Sequence, residues 1–286
     1  MPTSTSFTAP PPLRSPSPRT AATAPGAHPD YGIDAPGVRR GMFGAGAGGA
    51  VVAALAAVAR TRTTGGGATA ASVVGGLAAL AAAYGLGMGA YMTWTSRVGK
   101  RRTRERLLDA AGALRPGGAW RGDERVLDVG CGRGLMMVGA ARRLPAGAAV
   151  GVDVWRAEDQ ADNGPEGALE NARLEGVRDR VMVETGDARA LPFDDASFDA
   201  VLSHWVVHNI DSAADRARAL DEMLRVLRPA GVLVLADIAN LGEYRAHLAA
   251  RGVADVHVLD GGWAARISGA LSGGTYRPQA LLARRP

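Results

Sequence analysis

Apolar residues change their rhythm along this chain, and each rhythm predicts a different kind of element. From Arg125 onward, short apolar runs alternate with amphipathic ones. Arg125–Val129, Ala148–Asp153, Val181–Thr185, Phe198–Ser203 and Val232–Asp237 read as strands, and Leu135–Arg143, Pro165–Glu175 and Ala213–Leu227 as helices between them. After Asp237 the pattern gives a helix near Leu241–Ala250, a strand near Val253–Leu259 and a last strand near Tyr276–Ala283. Mostly apolar strands alternating with helices are the βαβ rhythm of a doubly wound parallel sheet, an α/β fold. Just before it, Gly99–Leu114 is a charged helix with Leu107, Leu108, Ala111 and Leu114 on one side. It is expected to dock on the sheet domain and to end at Pro116-Gly117-Gly118.

Upstream, the periodicity gives way to two uncharged runs, Gly41–Ala59 and Thr63–Ser96, separated by Arg60 and Arg62. Each can supply a helix of about 20 residues, the thickness of a bilayer core. The expected organisation is a disordered Pro/Ser/Ala-rich tail over 1–40, two transmembrane helices near 41–60 and 70–95, and a catalytic domain over 97–286. Tyr31–Pro36, at the end of the tail, is a stretch that could order against the next region. Gly44 and Gly48, like Gly85 and Gly89, have the small-residue spacing of close-packed membrane helices. Tyr91 and Trp94 suit an interfacial belt. Arg39 and Arg40 before the first run, and Arg97 to Arg106 after the second, outnumber the turn's Arg60 and Arg62. The positive-inside rule then puts both termini and the catalytic domain in the cytoplasm, at the cell membrane. The rivals are a pair of buried soluble helices, an Ala/Gly linker, and an export signal cleaved after Ala57-Val58-Ala59.

Composition adds mainly exclusions. The net charge of +5 over 286 residues rests on arginine, Lys100 being the single lysine. Paired with so much Ala and Gly, this reads as coding bias, and no basic run is interleaved with aromatics, so no nucleic-acid partner is expected. Cys131 is the single cysteine, which excludes an intrachain disulfide. No His/Cys cluster has metal-ligand spacing, and no metal is expected.

The chemistry concentrates where the first strand ends, at Asp128-Val129-Gly130-Cys131-Gly132-Arg133-Gly134. A glycine loop opening a helix lets backbone N–H groups approach a ligand closely. A dinucleotide loop wants a small residue at the sixth position, and here that position is Leu135. Asp128 would repel a pyrophosphate but suits a ligand bearing an ammonium. The spacing therefore favours S-adenosylmethionine over NAD. Further stretches follow in order: Gly151-Val152-Asp153-Val154-Trp155, then Gly186-Asp187-Ala188 to Phe193 with Ser197-Phe198-Asp199, then Leu224 to Leu233 around Arg228-Pro229-Ala230-Gly231.

With these four stretches in order, the region from Gly99 to the C-terminus resembles the class I S-adenosylmethionine-dependent methyltransferases, in the branch with small-molecule and lipid members. The resemblance does not cover the first 96 residues. It implies a Rossmann-like seven-stranded sheet with an antiparallel last strand. It also implies a cofactor site. Gly130, Gly132 and Gly134, with Cys131 as loop filler, would lie along the methionine part, with Asp128 near its amino group. Asp153 would take the ribose hydroxyls, Val154 and Trp155 would cover the adenine, and Asp187 and Ala188 would face the adenine edge. Ala230 departs from the family's usual glycine.

The acceptor side is expected after the fourth strand, in Ser203-His204-Trp205-Val206-Val207-His208-Asn209. His204 and His208 are the candidate bases or acceptor contacts, and Ser203 a cofactor neighbour. The long polar loop Arg156–Gly164 is a candidate lid. Two hydrophobic helices suggest a small-molecule or lipid acceptor near the membrane. The alternatives are an NAD(P)-dependent oxidoreductase and a non-catalytic S-adenosylmethionine-binding membrane protein.

Overall fold

A computed structural model describes residues 28–33, 35–156, 163–271 and 278–286. Helices α1 (Pro36–Arg62) and α2 (Gly66–Trp94) form an antiparallel hairpin. One π-helical turn, Thr95–Gly99, carries α2 without a break into α3 (Lys100–Leu114). The sheet domain follows as β1 (Arg125–Val129), α4 (Leu135–Ala141), β2 (Ala148–Asp153), α5 (Pro165–Leu174), β3 (Val181–Thr185), β4 (Phe198–His204), α6 (Ala213–Val226), β5 (Leu227–Asp237), α7 (Leu241–Ala250), β6 (Val256–Asp260), α8 (Gly262–Leu271) and β7 (Gln279–Arg284). The seven strands lie in the order β3-β2-β1-β4-β5-β7-β6. β7 runs antiparallel between β5 and β6, as the family resemblance implies.

The inner strands are buried along nearly their whole length because helices cover both faces, which is why they read as continuous apolar runs. Alternate residues go to opposite cores. Val126 joins Leu108, Met137 and Ala172 under α3, α4 and α5. Leu127 and Val129 join Leu220, Met223, Tyr244 and Leu248 under α6 and α7. The strand order reverses between β1 and β4, and Asp128 and Asp153 lie at the carboxyl ends of β1 and β2, the edge where open α/β sheets bind ligands. Helix α6 opens on Ser212, whose hydroxyl accepts from the Asp215 N–H at 3.0 Å.

Several expectations need adjusting. The expected tail boundary at residue 40 is too late, because Asp30–Gly32 is docked on the sheet domain and α1 already begins at Pro36. The remainder of that tail, 1–27, lies outside the described residues, as do 157–162 of the polar loop. Gly44 and Gly48 face away from α2; a Cβ on either would meet nothing within 4 Å. The helices close instead at Gly46 and Gly49, on a different face of α1, where a Cβ on Gly85 would lie 2.7 Å from the Gly46 nitrogen. Gly89 takes the Phe43 ring on the same seam. Helix α8 was not among the expected elements.

Candidate active site

The glycine loop is built by short backbone constraints. Gly130 has φ +71°, and a Cβ there would lie 2.3 Å from a methyl of Val206. Only glycine satisfies both conditions, so the loop after β1 and the segment after β4 touch. Gly134, at φ +81°, starts α4, and its carbonyl accepts from the Val138 N–H at 2.9 Å. Asp128 is buried and accepts from the Met137 N–H at 2.8 Å, inside the first turn of α4. Burial pushes its carboxyl up to about 7, against the lowering effect of that N–H, and the nearby Asp153 charge adds to the rise. Cys131 is buried against Gly151 and Met137, and burial pushes its thiol well up, so the side chain is a filler rather than a thiolate.

Asp153 fixes the loop from the neighbouring strand. Its Oδ2 accepts from the Gly132 N–H at 2.8 Å and its Oδ1 from the Trp155 N–H at 2.7 Å. Each oxygen retains acceptor capacity for a hydroxyl. Trp155 turns outward instead, donating its indole N–H to Thr185 Oγ1 at 2.9 Å. Asp187 is held by Arg189 through Nε at 3.0 Å and Nη2 at 2.5 Å, and these hydrogen bonds keep its carboxyl below the usual range.

On the acceptor side, Trp205 follows β4 with φ +61°, and its ring stacks on His204 at a centroid distance of 5.0 Å. A tryptophan in that backbone region is strained by about 1–3 kcal/mol, and such strain gathers at functional sites. His208 Nδ1 approaches Asp237 Oδ1 to 2.5 Å, and the His208 backbone N–H donates to Oδ2 at 3.0 Å. Asp237, buried at the end of β5, also accepts from the Ile238 N–H at 2.8 Å and the Tyr244 hydroxyl at 3.2 Å. With Nδ1 against a carboxylate, Nε2 is the ring nitrogen available to an acceptor proton.

A cavity of about 640 Å³ joins these groups. Gly130, Cys131, Gly132, Asp153, Val154, Asp187, Ala188, His204 and His208 line it; Asp128, Gly134, Trp155 and Ser203 do not. Ser203 is buried within β4, paired with Val129 and Leu235.

A family model described as a methyltransferase domain matches residues 127–235. These are the residues from β1 to β5 that carry the glycine loop and both histidines. The sheet domain matches this methyltransferase model over its core and has the seven-stranded fold of the class I methyltransferases. Among its relatives are the methyltransferase GfsG of Streptomyces halstedii, 41% identical over 119 residues, covering 41% of this chain and 39% of that one. The 27-O-demethylrifamycin SV methyltransferase of Amycolatopsis mediterranei is 31% identical over 174 residues, covering 52% and 59%. A demethylmenaquinone methyltransferase of Symbiobacterium thermophilum is 35% identical over 117 residues, covering 39% and 41%. The chain thus spans 39–59% of the length of these curated relatives. The fold matches geranyl diphosphate C-methyltransferase of Streptomyces coelicolor, solved with S-adenosyl-L-homocysteine, at a TM-score of 0.50 and 19% identity, over 65% of this chain and 79% of that one.

The cofactor of such a methyltransferase is S-adenosylmethionine, and the residues present fit it. The glycine loop leaves its backbone open to the cavity, Asp153 has acceptor capacity for a diol, and Asp187 and Ala188 stand beside it on the same wall. Asp237 and Tyr244 are the candidate site residues that sequence reasoning missed, whereas Trp205 and Val206 lie in the stretch expected on the acceptor side. One signal was available for Asp237: like Asp128 and Asp153, it is an acid near the carboxyl end of an apolar strand.

Proposed function

We propose that this protein transfers a methyl group from S-adenosylmethionine to a small amphiphilic acceptor at the cytoplasmic face of the cell membrane. The observation that carries the reading is the cavity lined by the glycine loop, Asp153 and His208, whose ring lies against Asp237. The sulfonium of the cofactor supplies an electrophilic methyl, so the protein's task is orientation and proton removal. Asp153 and the loop backbone bind and orient. Val206, pressed on Gly130, excludes water beside the loop. Asp237 positions His208, whose Nε2 takes the acceptor's proton when the nucleophile is a hydroxyl or an acidic carbon. The membrane placement is supported by α1 and α2, long and apolar enough to cross a bilayer, with few of their side chains buried. Val51, Leu55, Leu77 and Leu80 are among the apolar residues they expose.

The test is incubation of full-length protein with methyl-labelled S-adenosylmethionine and separated membrane and soluble fractions of the native cell. Label should appear in membrane extract. His208→Ala should lower turnover about 10²–10⁴-fold, the usual worth of a positioned base, with cofactor affinity kept. Full turnover in that variant, or label confined to the soluble fraction, would sink the corresponding half of the proposal.

A further inference from the structure

The cavity does not stop at the sheet domain. It continues along the first turns of α1, past Val38 and Met42, and up the last turns of α2, past Tyr84, Met88 and Tyr91. These positions are not scattered. Val38 and Met42 are four residues apart on α1; Tyr84, Met88 and Tyr91 follow at steps of four and three on α2. Each set forms one helix face. From Tyr84 to Thr95, both lining residues, the α2 wall rises about 16 Å at 1.5 Å per residue. The polar groups sit at the other end of the same space, at Asp153, Asp187 and His208.

We infer that the hairpin is the outer half of the acceptor site, and that it holds the apolar tail of an amphiphile whose polar head reaches His208. The inference rests on the reading of the protein as a methyltransferase. Three observations point to a tail rather than to solvent or a second protein. The lining is methionine and tyrosine, flexible or amphipathic side chains that adapt to a chain of variable shape. Val38 and Tyr84, which line the cavity at its rim, are 55% and 46% exposed, so the hairpin end of the cavity is open to the surroundings of the helices. Beyond the rim, the hairpin exposes only apolar and small residues up to Arg60, the environment from which a lipid-soluble acceptor would enter.

The experiment uses the full chain in phospholipid nanodiscs with hexadecanol bearing a terminal diazirine. Light converts the probe to a carbene, and the labelled peptides are mapped. Label on the hairpin does not by itself report the cavity, since any lipid-facing helix acquires it; the decisive site is the domain wall at Val206 and Ile238. Label is expected there, and Met88→Trp or Met42→Trp should lower it at least fivefold. Leu80→Trp, on the outer face, should not. Cofactor affinity, measured by calorimetry in the same nanodiscs, should stay within twofold in all variants, which also reports that they fold. Absence of label at Val206 and Ile238, or label indifferent to both cavity-filling variants, overturns the inference. Loss of cofactor binding in the wild type with label retained would instead overturn the methyltransferase reading and leave the channel standing.

Discussion

Asp128 shows how one buried side chain sets a measurable pH dependence. Its carboxyl is pushed up to about 7, so between roughly pH 4 and 7 the folded chain holds a proton that the unfolded chain has lost. Folding stability from this group is therefore greatest at low pH and declines as pH rises towards 7. Asp128→Asn keeps an oxygen for the Met137 N–H and abolishes the titration. Relative to wild type, its melting temperature should rise as the buffer is moved from pH 5 to pH 8, by an amount worth on the order of a few kcal/mol. A constant difference between the two proteins would refute the assignment. Ala230 is a second residue-scale case. Its φ of +60° lies in the left-handed region within the first residues of β5, where its N–H donates to the Arg285 carbonyl at 2.9 Å. That conformation costs alanine about 1–2 kcal/mol, of which glycine's extra unfolded-state entropy takes back about 0.4–1 kcal/mol. Ala230→Gly should thus stabilise the domain slightly, visible as a higher urea midpoint with unchanged slope.

At the scale of elements, the hairpin makes the sharpest distinction between glycines that a sequence motif cannot separate. Gly46 and Gly85 sit where the backbones meet; Gly44, two residues along, meets nothing. Gly85→Leu should therefore pry α1 from α2 and lower thermal stability in micelles, whereas Gly44→Leu should be silent in the same melt. Equal effects would place the seam elsewhere. The sequence pointed to the α2 glycines correctly and to the wrong α1 glycines, because several small residues there share the required spacing and only the rotation of the helix decides among them. The sheet domain was far more legible. Strands buried on both faces leave an apolar run with few alternatives, and β1 and β2 match their expected bounds. The site was legible where backbone geometry demanded glycine or a strand end demanded an acid. It was not legible at Tyr244, which reaches Asp237 from α7 only once the sheet has formed. Nor did the sequence show that the hairpin and the glycine loop line one space, since that depends on how α2 runs through Thr95–Gly99 into α3.

For the whole molecule, the question is what fixes the hairpin against the sheet domain. One anchor is the continuous helix from α2 to α3. The other is the chain just before α1. Lys100 Nζ donates to the carbonyls of Tyr31 and Gly32, each at 2.7 Å. Arg104, 1% exposed, donates to the Tyr31 hydroxyl at 3.1 Å and to Glu175 Oε1 at 3.0 Å. The Tyr31 hydroxyl in turn donates to Glu175 at 2.6 Å. Burial raises the Tyr31 hydroxyl well above its ordinary range, as does the Glu175 charge, so it remains a donor. Burial also acts to raise the Glu175 carboxyl, but the bonds from Tyr31 and Arg104 outweigh it and hold the group below its usual range, as a carboxylate. Asn171 and Arg133 extend the clamp: both donate to the Asp30 carbonyl, and Arg133 belongs to the glycine loop itself. The cofactor loop, the segment before α1 and the root of α2 are therefore tied through one buried cluster. Glu175→Gln preserves the shape of the side chain but leaves the Arg104 guanidinium with only Glu105 as a charged partner. Breaking a buried pair from one side typically costs about 3–5 kcal/mol, and the surviving Glu105 contact argues for the lower end. A loss of about 3 kcal/mol should lower the melting temperature by roughly 6–12 °C in a domain of this size. Glu170→Gln removes an exposed pair with Arg173 on the same helix and should leave the melt unchanged. Hydrogen exchange should locate the loss: if the clamp fixes the hairpin, Glu175→Gln speeds exchange at Tyr31–Ile33 and at the Thr95–Gly99 turn together. Acceleration confined to α5 would mean that the cluster stabilises the sheet domain alone.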